Sequence, residues 1–176
     1  MPYYKSLCED LLRKRQDTQI RSALRHAISP RLDHMAYPYL AYWWQKKPHL
    51  RRPVLLLGYL MAEYHRVGHD KEGAPIGQVA RQLCDQGAIS ENSMSRGILS
   101  VQRGSVDKLG QTLRRILQVA QTNGVSVDWC SVVKLCLYWD TSDMDNRYKT
   151  RRRLLEDFYK GSPEPELGDE PQNAVH

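Results

Sequence analysis

Behind Pro53 the chain runs VLLLGYLMAEY, apolar at almost every position from Val54 to Ala62. A helix that is apolar all the way round has no face to give to water, so it belongs at the centre of a bundle. The run is too short to cross a bilayer, which takes about 20 residues of helix. Everything else in the chain therefore has to wrap it.

The wrapping elements read as helices, because strand-like alternation is scarce and apolar residues recur at three- and four-residue spacing. One helix is predicted over about Tyr4 to Arg15 and a second over Thr18 to Ala27, stopped by Ser29-Pro30. The aromatic stretch from Met35 to Trp44 is predicted to turn helical near Tyr37, since Pro38 suits a first turn. Tyr39, Tyr42, Trp43 and Trp44 lie beside the most apolar helix and read as core packing rather than as a base-stacking platform. Pro75 opens a helix to about Gln86, Ser90 or Asn92 caps one to about Val101, and Ser105 caps a long one ending at Asn123-Gly124. Asp128 caps Trp129 to Trp139, and a last helix runs from about Asp143 to Lys160.

The fold class is thus all-α, with eight or nine helices in two small packed bundles. The loop GHDKEG (Gly68 to Gly73) divides them into residues 1–72 and 73–160. The tail, residues 161–176, is acidic, proline-rich and apolar-poor, and is expected to be disordered.

Charge gives the first functional clue. The chain carries +6 overall, and the tail holds Glu164, Glu166, Asp169 and Glu170 without a Lys or Arg, so +6 less −4 leaves +10 on the helical body. A basic body favours a polyanionic partner. On the helix after Ser105, Val106, Leu109, Leu113, Ile116, Leu117 and Ala120 form one stripe; Lys108 and Arg115, seven apart, share the opposite face with Arg114 at its flank, and Asp107 is the only acid. Arg96 and Arg103 repeat that spacing on the helix before, Lys134 and Tyr138 point outward on the one after, and Arg21 and Arg25 share a flank of the second helix. A solvated helix face interleaves acids with its bases. Positive faces without acids suit a phosphate backbone, where each Lys or Arg releases condensed counterions. On the last helix Arg147 and Arg151 fall on the side of Leu154, Leu155, Phe158 and Tyr159, so its start is predicted to overhang the core and aim these arginines at a groove or a neighbour.

Catalytic patterns are not found. There is no GxxxxGK[ST], GxGxxG or GxSxG sequence. Cys8, Cys84, Cys130 and Cys136 make no CxxC pair and show no zinc-ligand spacing. His65 and His69 have an HxxxH spacing, but Gly68 ends the helix between them, so they do not read as a metal site. No cofactor, catalytic residue, small-molecule substrate or membrane partner is expected. Free thiols and the lack of an apolar h-region at the N-terminus suggest a cytoplasmic protein. One rival remains: IGQVARQLCDQGAISENSMSRGI, Ile76 to Ile98, has the outline of a helix-turn-helix regulator. Its second helix would offer mainly Glu91, Asn92, Ser93 and Ser95 to a groove, with Arg96 alone basic. A purely architectural adaptor is the other alternative.

Taken in order, IGQVARQLCDQGAISE, LRRIL (Leu113 to Leu117), VDWCSVVKLCLYW (Val127 to Trp139) and RRRLLEDFY (Arg151 to Tyr159) resemble the CasB family, the small subunit of type I-E CRISPR Cascade complexes. TQIRSAL (Thr18 to Leu24) resembles that family's N-terminal basic motif. The resemblance implies a non-catalytic helical subunit that holds the guide RNA–target DNA duplex and the displaced strand of an R-loop. It also implies other Cascade subunits and a second copy of the chain as partners. Arg21, Arg114, Arg115, Lys149 and Arg151 match the family's basic positions; Arg51 and Arg103 align less closely. Asp140 to Asn146 resembles an insertion before the last helix.

Overall fold

The computed structural model describes residues 1–160; the tail, where disorder is expected, lies outside the described residues. Among the described residues there are nine α-helices and no strand. They are α1 (Tyr3–Lys14), α2 (Thr18–Leu24), α3 (Tyr37–Leu40), α4 (Arg51–Glu63), α5 (Ile76–Asp85), α6 (Glu91–Val101), α7 (Val106–Thr122), α8 (Trp129–Tyr138) and α9 (Met144–Tyr159). Short 3₁₀ turns flank α3 and precede α4. None of these helices is long and apolar enough to cross a membrane.

The all-round apolar run sits where its composition demands. Every residue of α4 from Pro53 to Ala62 is buried, and the helix packs against α1, α2, α3, α7 and α8. Buried side chains from both sides of the Gly68–Gly73 loop join in a single core cluster. Trp129 and Trp139 are fully enclosed and each indole N–H finds a carbonyl, Val67 at 3.2 Å and Gly104 at 3.0 Å. A buried indole needs such a partner, and these two bonds tie the two ends of α8 to the loop after α4 and the turn before α7.

Local signals account for most helix ends. Asp17, Asp128 and Asp143 accept backbone N–H groups of the first turns of α2, α8 and α9. Gly124 ends α7 with φ of +66°. Ser90 and Ser105 stand at N-cap positions, but neither side chain makes a capping bond. At α7 the Asp140 carboxylate takes the cap, accepting from the Val106 amide at 2.7 Å. α2 stops at Leu24, earlier than predicted, and its chain continues in turns to Ala27. The aromatic stretch is not uniformly core: Tyr42 is 75% exposed, while Trp43 and Trp44 are half-buried.

Candidate nucleic-acid interface

α7 buries Val106, Leu109, Leu113, Ile116, Leu117 and Ala120 and leaves Lys108, Arg114 and Arg115 exposed. Its one acid, Asp107, pairs with Arg52 of α4 at 2.5 Å. Among the described residues neither Lys108 nor Arg115 has an anionic partner. Arg103, in the turn between α6 and α7, is exposed and likewise unpaired, as is Lys149 on α9. Arg96 is exposed and donates to the Asn92 carbonyl of its own helix at 3.3 Å.

Arg114 and Arg115, though adjacent, serve different surfaces, because neighbours on a helix point about 100° apart. Arg114 leans toward α4 and lies over the Tyr59 ring, 5.2 Å from its centroid. Arg115 faces α5, close enough for its charge to act on Cys84. Beyond the end of α4, Arg21, Arg25 and Arg66 gather around His65. Burial and these three cations push the His65 pKa below its ordinary value. Arg66 and His65 escape a reading by helical faces because they follow the last turn of α4, where helix periodicity has no meaning. Only folding brings them beside α2.

Other predicted residues are engaged. Arg25 pairs with Glu63 at 3.3 Å, both partly exposed. Arg51 pairs with Asp33 at 3.4 Å and bonds the Tyr37 hydroxyl. Arg21 donates to the Arg15 carbonyl at 2.9 Å. Lys134 lies over the Tyr4 ring and lines a cleft of about 420 Å³ with Lys5, Lys71 and Arg153. Glu9, Asp128 and Asp157 share that cleft, so its charge is mixed.

The start of α9 departs from expectation. Arg147 and Arg151 do not overhang the core toward a partner; the fold itself takes them up. Arg147 donates to the Thr141 carbonyl at 2.8 Å. Arg151 donates to the carbonyls of Gln102, Gly104 (3.1 Å) and Trp139 (3.1 and 3.2 Å), pairs with Asp140 at 3.1 Å and covers the Trp139 ring. The physical reason is helix ends: α6 and α8 finish here with carbonyls that lack intrahelical donors, and a guanidinium has five N–H groups to give.

The segment with a helix-turn-helix outline is also locked internally. Arg81 of α5 bonds Glu91 at 2.8 Å and Asp85 at 2.7 Å, tying down the first residue of α6. Metal-ligating chemistry appears where the spacing gave no sign of it: donor atoms of Cys8, His69 and Cys130 lie within 4.8 Å of one another.

Residues 17–159 match the family model of the CRISPR-associated protein Cse2. No curated protein sequence matches the chain. Among solved structures, a CRISPR-associated Cse2-family protein from Thermus thermophilus is 17% identical, with 91% of this chain and 99% of that one aligned at a TM-score of 0.70. A structure of CasB from Thermus thermophilus is 16% identical over 91% and 99% of the two chains, TM-score 0.68. A chain of a CRISPR RNA-guided surveillance complex is 16% identical over 90% and 91%, TM-score 0.68. At such identities the likeness is one of fold.

Proposed function

The chain belongs to the CRISPR-associated Cse2 family, and from that premise we propose that it is a non-catalytic subunit of an RNA-guided CRISPR surveillance complex. In that setting it binds sugar-phosphate backbone, steadying the guide RNA–target DNA duplex and the displaced strand. Guide pairing reads sequence in such assemblies and protein reads backbone. The supporting observation is that Arg103, Lys108 and Arg115 stand exposed and, among the described residues, without an anionic partner, while the one acid of α7 is taken by Arg52. Arg96 and Lys149 are further exposed bases, Arg114 stands on the side toward α4, and Arg21, Arg25 and Arg66 form a second basic group. Arg25, Arg51, Lys134, Arg147 and Arg151 contribute less, since each already holds a partner within the fold. Other complex subunits and a second copy of the chain are the proposed protein partners.

The test is retention of an R-loop by the reconstituted complex, with and without this subunit, across a salt series. Retention should fall steeply with salt and depend little on base sequence. Equal retention without the subunit would overturn the proposal.

A further inference from the structure

We propose that Cys8, His69 and Cys130 form a binding site for a thiophilic divalent metal ion of the zinc type. Cys8 comes from α1, His69 from the loop after α4 and Cys130 from the first turn of α8, so the three meet only in the folded chain. Their donor atoms lie within 4.8 Å of one another. Tetrahedral zinc with Zn–S of 2.3 Å and Zn–N of 2.0–2.1 Å sets its ligands about 3.5–3.8 Å apart, so the cluster need contract by no more than about 1.3 Å. Two thiolates and an imidazole are a set that zinc favours over harder cations. None of the four cysteines is in a disulfide.

A buried cation near Cys8 restricts the site to an ion whose charge its ligands can cancel. Arg15 is 5% exposed, yet its only described partners are the Val67 carbonyl at 3.1 Å and the Trp129 ring; its Nε is buried without an acceptor. A buried cation lacking an anion is costly. Metal binding displaces one proton from each thiol, so a divalent ion with two thiolates and a neutral imidazole carries no net charge and fills the site without adding to the cost of this guanidinium. Cys130 and Asp128 line the mixed-charge cleft, which gives the ion and a fourth, water ligand a way in. Binding has one local cost: the Trp129 amide now donates to His69 Nδ1 at 3.2 Å, and ligation of the imidazole takes that acceptor away.

The experiment is a cobalt(II) titration of the full, reduced, metal-free chain. Stoichiometric binding should give thiolate charge-transfer and tetrahedral d–d bands, release protons, bleach on addition of zinc, and protect Cys130 from iodoacetamide. Cys130→Ser, at a half-buried position, should abolish the bands, while Cys84→Ser should keep them. Cys8→Ser should act like Cys130→Ser; because Cys8 is buried, circular dichroism checks its fold, and the wild-type alkylation reading needs no variant. Absence of tetrahedral bands in the reduced wild-type chain, bands that survive Cys130→Ser, or unchanged alkylation with metal would each overturn the site.

Discussion

The Asp140 carboxylate holds Arg151 at 3.1 Å through one oxygen and the Val106 amide at 2.7 Å through the other. This one side chain thus closes the start of α7 and anchors an arginine that reaches the ends of α6 and α8. The first prediction follows from that geometry. Arg151→Met strips donors from the carbonyls of Gln102, Gly104 and Trp139 and leaves Asp140 without its cation. It should lower stability by about 2–4 kcal/mol. Urea unfolding of the isolated chain measures this, and an unchanged midpoint would return Arg151 to the binding surface.

The exposed bases should behave in the opposite manner. Arg103→Glu, Lys108→Glu and Arg115→Glu remove no ion pair, so their melting temperatures should stay close to that of the wild type. Affinity of the assembled complex for its R-loop should drop. If all three side chains meet phosphates, neutralising them should reduce the slope of log K against log salt by about 2–3. A triple variant with weakened assembly but an unaltered slope would show instead that these bases face protein.

What the sequence allowed, and where it stopped, has a physical explanation. Helix existence was legible because the periodicity of Val106 to Ala120 and the cap at Asp128 are local. The central place of Val54 to Ala62 followed from composition alone. The fate of Arg151 was not legible: its partners lie in the turns after α6 and α8, and no spacing rule links position 151 to 102, 104 or 139. The same holds for Ser105, whose expected capping role passes to Asp140, and for His65, which meets Arg21 only through packing. Exposed, unpaired Lys108 and Arg115 were foreseeable because Asp107 is the one acid of their helix.

His65 offers a readout of phosphate occupancy. Burial and the cations Arg21, Arg25 and Arg66 hold its pKa below the ordinary value of 6.5. The folded chain therefore binds fewer protons here than the unfolded chain. The stability this site contributes is complete above about pH 6.5 and declines as pH falls from there toward the lowered folded value. A phosphate backbone lying across the three arginines would offset their repulsion and raise the pKa. NMR titration of the His65 ring should show that rise in the presence of bound nucleic acid, with tighter binding at pH 6 than at pH 8. His65→Gln should remove this pH dependence, and a His65 pKa unmoved by nucleic acid would place this basic group outside the interface.

The packing of α5 on α9 supplies the last prediction. A Cβ placed on Gly77 would sit 2.8 Å from the Leu154 carbonyl oxygen, 2.8 Å from Asp157 Cβ and 3.2 Å from the Phe158 amide nitrogen. Two of these neighbours are backbone, which cannot swing aside as a long side chain does. Gly77→Ala should therefore force the helices apart and destabilise the chain by about 1–3 kcal/mol, despite the higher intrinsic helix propensity of alanine. Gly97→Ala is the control, since nothing lies within 4 Å of its added Cβ and the substitution on α6 should be neutral or stabilising. Thermal unfolding of the two variants separates the effects. Equal melting temperatures would mean that α5 and α9 pack more loosely than this contact requires.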